Sequence, residues 1–552
     1  MATIAVLTIL TVTACQPATG PSPQNTNPWL DQVSQNSPIL IANEVRLDDA
    51  QFNRLAQTIQ PLASILGRYW HSPESLFVQS IARQLTNADD WRSAGLDPNG
   101  FWAVYADNEQ LIARIPLLNE TAFWDAWLQL NGPPPTQKAH PSAPETSHSH
   151  QRVVIEANAL ANAWLADQGR SSRGWLIVET QQSWLSVRLQ ETHPDEIAML
   201  NEQDSMASSP SSSDHWSADL WRAFNQTHGL DGKVSAYVDL TGLMAQREYS
   251  DMDCQQAWTE LGAQMPRLIM GTQDLSTQSM TLLTRLILPK GELDRPMPRP
   301  RIDVSEAQFA QVAGLGLIVD VATTRQAMID QLQASQAALE DCVALSPLQP
   351  SQRWARGLSN RPVPPIITSI EGVMMRFDGL APKDSSSSEN HSIDQADDAV
   401  AHYLTEVHMQ NPQFLIGLAG LFAPELAAMD LRANRPPQPL PPRLVEALGG
   451  VPIYLSTTEA SLRVSSADVL DEPTPETDSD SDSATLPWAS GAIDFNRLDE
   501  LMAVMQGWPM AAQGETLIDK LTDWSNRADI SRVQWRVQPT DEGIDLIIHT
   551  QH

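Results

Sequence analysis

Four stretches of the chain share one pattern of apolar and polar positions. An apolar run with strand character ends in a polar residue, and a few positions later the spacing changes to the i, i+3, i+4 period of a helix. They are ARIPLLNETAFWDAWLQL (113–130), SAYVDLTGLMAQ (235–246), GLIVDVATTRQAMIDQL (316–332) and AIDFNRLDELMAVM (492–505). In the last three an Asp sits between apolar neighbours: Asp239, Asp320 and Asp494. A second pattern is a helix, a glycine and two short alternating runs, at 157–191 and again at 443–466. Alternation of this kind predicts antiparallel strands with one buried face.

The order of these patterns repeats. A hairpin (174–190), a strand–helix unit (235–246) and a long strand (280–288) are followed by a hairpin (451–465), a strand–helix unit (491–505) and long strands (533–537 and 544–549). We therefore expect an α+β protein, internally duplicated, with antiparallel sheets and helices packed on one face. The repeats would run over 40–292 and 303–552, joined by a Pro-rich strip at 289–301. Four polar stretches, 131–150, 202–215, 383–398 and 471–485, are too poor in apolar residues to offset chain entropy and read as solvated loops.

Charge narrows the function classes. Acids outnumber bases 67 to 35, giving a formal net charge of −32. Clustered cations are needed to hold nucleic acid or anionic headgroups, so nucleic acid is not an expected partner. Seventeen tryptophans are enough to build the core and, as a second use, to line a groove for carbohydrate or lipid.

The N-terminal stretch points to location. An apolar run over residues 2–10 leads into Val12-Thr13-Ala14-Cys15. The run is too short to span a bilayer, which needs about 20 residues. Its ending resembles a bacterial lipobox: a branched residue, two small ones, then cysteine. The resemblance implies a signal peptide over 1–14, acylation of Cys15 with diacylglycerol and palmitate, and a permanent membrane anchor. Gln16 in place of Asp implies sorting to the outer membrane, with the body facing the periplasm. Residues 15–35, polar and Pro-rich, would act as a flexible tether. In that oxidising compartment the two remaining cysteines, Cys254 and Cys342, are candidates for one disulfide. Closing so long a loop would contribute roughly 4–5 kcal/mol in the chain-entropy model.

The phrase WRSAGLDPNGFWAVYADNEQLIARIPLLNETAFWDAW (91–127) resembles one found in exported bacterial proteins of unknown function, with its GLDP turn, two strands and Pro-apolar-apolar before a helix. It implies a large exported α+β protein and no particular activity.

No catalytic motif stands out. The chain lacks a Gly-x-Ser-x-Gly elbow, a Ser-x-x-Lys, a Cys-x-x-Cys, a His-Glu-x-x-His and a Gly-x-x-x-x-Gly-Lys phosphate cradle. His140, His148 and His150 lie in a Pro/Ser loop that cannot supply rigid ligands. Asp478, Asp480 and Asp482 begin like a calcium loop but have Ser483 at the sharp turn and no Glu at the twelfth position. Asp239, Asp320 and Asp494 have two readings: convergent carboxylates that shift each other's titration, or acceptors for backbone N–H groups at the strand-to-helix turn. The apolar run 414–423 (FLIGLAGLFA) reads as a buried helix or an interfacial one; no Lys or Arg flanks it, which favours a buried helix or one lining an apolar groove.

These observations favour a non-catalytic lipoprotein that binds or scaffolds an envelope protein, with no cofactor and no metal. The alternative is a carrier for an apolar ligand such as a lipid or acyl chain, and the third reading is a carboxylate hydrolase.

Overall fold

The computed structural model describes residues 26–56, 87–107, 110–131, 150–156, 175–181, 183–190, 215–245, 267–289, 303–318, 368–382, 399–429, 431–433, 435–447, 452–466, 486–505 and 529–552, with a few single positions between them. Cys15, Cys254, Cys342, Asp320 and the acidic run from Asp478 to Asp482 lie outside the described residues, as do His140 and His148. The protein is a mixed α+β structure built on antiparallel sheet. The chain divides into two compact units, Met1–Ile287 with Arg527–Asp529, and Leu288–Asn526 with Ile530–His552.

In the first unit nine strands are described: β1 (Ile39–Ala42), β2 (Ala103–Asp107), β3 (Gln110–Pro116), β4 (His150–Glu156), β5 (Trp175–Gln181), β6 (Trp184–Gln190), β7 (Ser235–Asp239), β8 (Arg267–Leu275) and β9 (Ser279–Ile287). Every pairing is antiparallel, and the order across the unit is β4-β5-β6-β3-β2-β1-β7-β8-β9. The first strand thus lies at the centre, between partners from far along the chain. Its sequence, Ile-Leu-Ile-Ala, is apolar at every position, and all four residues are buried.

That composition corrects the expectation of helices on one face. Leu40, Ala42, Ala103, Tyr105 and Ile112 pack with Leu30 of a 3-10 turn (Leu30–Gln32) and with a buried Trp221. On the opposite face Ile39, Ile41, Val104 and Val238 pack with Phe52, Leu55, Trp91, Phe123 and Trp124. The helices responsible are α1 (Ala88–Ser93) and α2 (Glu120–Asn131) on the second face and α3 (Ala218–His228) on the first. A strand apolar on both sides needs cover on both sides. Ser217 caps α3 by accepting from Leu220 N–H, and Gly229, at φ 69°, ends it in the left-handed conformation.

The GLDP turn has a mechanical role. Gly95, at φ 76°, lets the chain reverse after α1, and its carbonyl accepts from Leu118 and Asn119 N–H at the entrance to α2. Asn119 Oδ1 then accepts from Ala122 N–H in the first turn of α2.

The second unit contains β10 (Ala313–Ile318), β11 (Ile370–Pro382), β12 (Ala399–Met409), β13 (Gln438–Pro439), β14 (Tyr454–Thr457), β15 (Ser461–Ser465), β16 (Ala489–Asp494), β17 (Arg532–Thr540) and β18 (Gly543–Gln551). Their order is β13-β14-β15-β12-β11-β10-β16-β17-β18, again wholly antiparallel. Position by position this is the order of the first unit. A strand–helix unit follows β7 as α4 (Leu240–Ala245); the helix after β12 is α5 (Pro412–Phe422), and the one after β16 is α6 (Leu498–Met505).

A 3-10 turn also precedes β10, at Ser305–Phe309, and it lies closer to the sheet than a side chain at position 314 or 316 would permit. A Cβ on Gly314 would stand 2.0 Å from the Ala307 carbonyl oxygen, and one on Gly316 would stand 2.6 Å from that of Val304. The Ser490 hydroxyl of β16 donates to the same Val304 carbonyl. Gly314→Ala should therefore lift the turn and destabilise the protein by about 1–3 kcal/mol, as overpacking does. Gly417→Ala in α5, where nothing lies within 4 Å, should instead be neutral or stabilising by up to about 1 kcal/mol. Urea unfolding of the two variants beside wild type checks both signs.

Candidate functional site

Strand alternation places Leu404, Glu406 and His408 of β12 on one face of the second unit. Glu406 is only 4% exposed. The register sets it directly opposite Arg463 of β15, whose Nε lies 3.1 Å from Glu406 Oε1. His408 Nε2 is 3.6 Å from the same oxygen. On the other side, β11 carries Arg376, whose Nε lies 2.7 Å from Asp378 Oδ2. The 3-10 turn brings Glu306 toward this group.

Burial and charge act differently on the members. Burial, reinforced by the nearby Glu406 charge, raises the Glu306 carboxyl above the ordinary carboxylate range, with Arg376 opposing. Burial lowers His408 from its ordinary 6.5, and Glu406 offsets part of that shift. The signs of linkage are opposite. The His408 contribution is present above the unfolded value and is lost as pH falls through the lowered folded one. The Glu306 contribution is present at low pH and is lost as pH rises through its raised value. The arrangement is a buried Glu406–Arg463 pair beside an imidazole that protonates less readily than usual and a carboxyl that ionises less readily than usual. It can hold charge in a desolvated place.

The carboxylates singled out from sequence do something else. Asp239 Oδ1 accepts from Gly242 N–H at 3.1 Å, and Asp494 Oδ1 accepts from Asn496 N–H at 3.0 Å. Each also faces an arginine paired with it in the ladder: Arg267 at 3.7 Å from Asp239 and Arg532 at 3.9 Å from Asp494. Both are turn acceptors held by a cross-strand cation, each engaged within its own unit. His150 begins β4. Among the described residues no group of three or more His, Cys, Asp or Glu could hold a metal ion.

The apolar run 414–423 is helical as expected, but it is not the buried helix anticipated. Asn411 caps α5 by accepting from Phe414 N–H, and Pro412 occupies its first turn. Phe414 is 53% exposed and Leu421 75% exposed, with an open Gly417 between them. The spacing i, i+3, i+7 puts these three on one stripe facing outward. The helix after β3, α2, differs: its Phe123 and Trp124 are buried in the core. No helix among the described residues is long and apolar enough to cross a membrane.

The chain matches no protein-family model, no curated protein and no solved structure.

Sequence reasoning missed the Glu406 group. The signal was present in AHYLTEVHMQ, where a Glu and a His occupy alternate positions of an apolar strand, and in SLRVSS, where an Arg interrupts a hairpin. Register alone joins them. Glu406→Gln should cost about 3 kcal/mol, because it leaves Arg463 largely desolvated beside a neutral amide. The double variant Glu406→Leu/Arg463→Leu should recover most of that loss. Urea unfolding at pH 7.5, where His408 is neutral, separates the two.

Proposed function

We propose that this chain is a lipid-anchored protein of the bacterial envelope whose body binds or scaffolds a partner and performs no chemistry of its own. On this reading Cys15 carries the anchor in the outer membrane and the body faces the periplasm; the tether is shorter than the 15–35 expected from sequence, because Trp29, Leu30 and Val33 are buried in the core of the first unit. The lipobox-like ending at Cys15 supports the anchor. The body is read as an internal duplication. Support comes from the repeated strand order, from the 3-10 turn before each central strand, and from the Asp–Arg pairs Asp239–Arg267 and Asp494–Arg532 at matching ends of β7 and β16.

The observation that carries the binding reading is the outward apolar stripe Phe414, Gly417 and Leu421 on α5. Phe414 and Leu421 are two large apolar side chains exposed on one stripe of the helix, apolar surface that a partner could cover. In the matching place of the first unit the helix is packed. Duplication followed by release of one copy from core duty would leave such a surface free to bind. The same stripe favours a second reading, in which the cover is a lipid or acyl chain. A hydrolase has less support, because Asp239 and Asp494 are both occupied as turn acceptors.

Two experiments test the reading. A photo-crosslinking residue at position 421 should yield a discrete protein adduct in intact cells, and Phe414→Glu should abolish it; failure to form any adduct in a folded protein would sink the partner reading. Cys15→Ser should release the protein from the membrane fraction and remove palmitate label. Native mass spectrometry of that unacylated form should give the bare protein mass, and a lipid-mass adduct would replace the partner reading with the carrier.

A further inference from the structure

One row of the ladder reads Ser235, Ala42, Ala103, Arg114, Ser186 across β7, β1, β2, β3 and β6. The matching row of the second unit reads Ser490, Gly316, Met374, Glu406, Arg463 across β16, β10, β11, β12 and β15. Ser235 and Ser490 each lie four residues before the turn aspartate of their own strand, which fixes the correspondence. Arg114 therefore stands where Glu406 stands. The second unit neutralises its buried charge with Arg463; the first has Ser186 in that place.

Arg114 is 9% exposed. Its Nε donates to the Tyr105 hydroxyl at 3.4 Å, and its guanidinium carbon lies 4.4 Å from the centre of the Trp184 ring. Trp29 meets Trp184 edge-on at 4.9 Å and is itself fixed by a bond from its Nε1 to the Phe101 carbonyl. Among the described residues no carboxylate pairs with Arg114, and its Nη1 is buried without a hydrogen-bond partner. Glu179 is on the same row but two strands away, beyond Ser186, at roughly 10 Å by strand spacing. Nε is bonded and Nη1 is sealed without a partner, which leaves Nη2 as the edge where a ligand would enter. A cation left in this condition is strongly disfavoured unless a counter-charge arrives. A ring face compensates only part of that cost.

We propose that Arg114, with Tyr105 and Trp184 as walls, is a binding site for a carboxylate supplied by a ligand or partner. The carboxylate would enter along the Nη2 edge and accept from Nη2 and then Nη1, side by side as guanidinium–carboxylate pairs do. The second unit shows the choice of anion internally, since its matching place holds a carboxylate against a guanidinium. This inference deepens the binding reading by naming the chemistry of one ligand group. It concerns a surface on the first unit, so it can fail while the α5 stripe still captures a partner.

The test uses the full chain in detergent, with benzoate, acetate and inorganic phosphate as probes and calorimetry plus tryptophan fluorescence as readouts. Benzoate should bind saturably and quench fluorescence. Arg114→Met should weaken it about tenfold or more without lowering the melting temperature, since an uncompensated charge is removed. Ser186→Asp should weaken it similarly while raising the melting temperature, because it restores an internal carboxylate; this variant carries the test if Arg114→Met does not fold. Absence of benzoate and acetate binding to the folded wild type, or binding unchanged in Ser186→Asp, would overturn the site. Phosphate bound more tightly than either carboxylate would overturn the choice of ligand.

Discussion

Each unit depends on a single central strand, β1 or β10, that is the first strand of its unit and is held by partners distant in sequence. β1 pairs with β2 on one side and β7 on the other, and β10 with β11 and β16. Neither strand can be placed until the chain has returned twice, so closure entropy is spent before the pairing stabilises anything. Apolar burial must then offset it. In the first unit the four-residue strand is apolar on both sides, which recruits helices to both faces. In the second, glycine at 314 and 316 lets a 3-10 turn lie directly on the backbone, and Ser490 fastens it.

The same architecture explains why charges end up inside. A row crossing β3 or β12 lies beneath covering elements on one face, so any ionisable side chain there is desolvated. One unit resolves this with a cross-strand pair, Glu406 with Arg463. The other holds Arg114 between a tyrosine hydroxyl and a tryptophan ring. The two units thus share a strand order while carrying opposite charges at one ladder position, and among the described residues only the second has an internal counter-ion there.

Much of the architecture was legible from the sequence, for identifiable reasons. The hairpins at 175–190 and 454–465 follow from alternation bounded by turn residues, and the strand–helix units at Asp239 and Asp494 follow from a change of period across a single polar residue. The sidedness of the helices was not legible, because a four-residue apolar strand such as Ile39–Ala42 has no alternation to reveal two buried faces. The exposure of α5 was not legible either: FLIGLAGLFA has the composition of a core helix, and only its place after β12 shows which stripe points outward. Arg114, Glu406 and Arg463 are ordinary single residues in their own strands. What sets Glu406 against Arg463, and Arg114 against Ser186, is register between strands distant in sequence; local pattern carries no trace of it.

β1 and β10 organise their units, and hydrogen exchange on the full chain, followed by mass spectrometry, tests this most directly. Peptides covering 39–42 and 313–318 should be among the slowest to exchange, opening only with global loss of their unit. Exchange of those peptides ahead of the peripheral hairpins at 175–190 and 454–465 would contradict it.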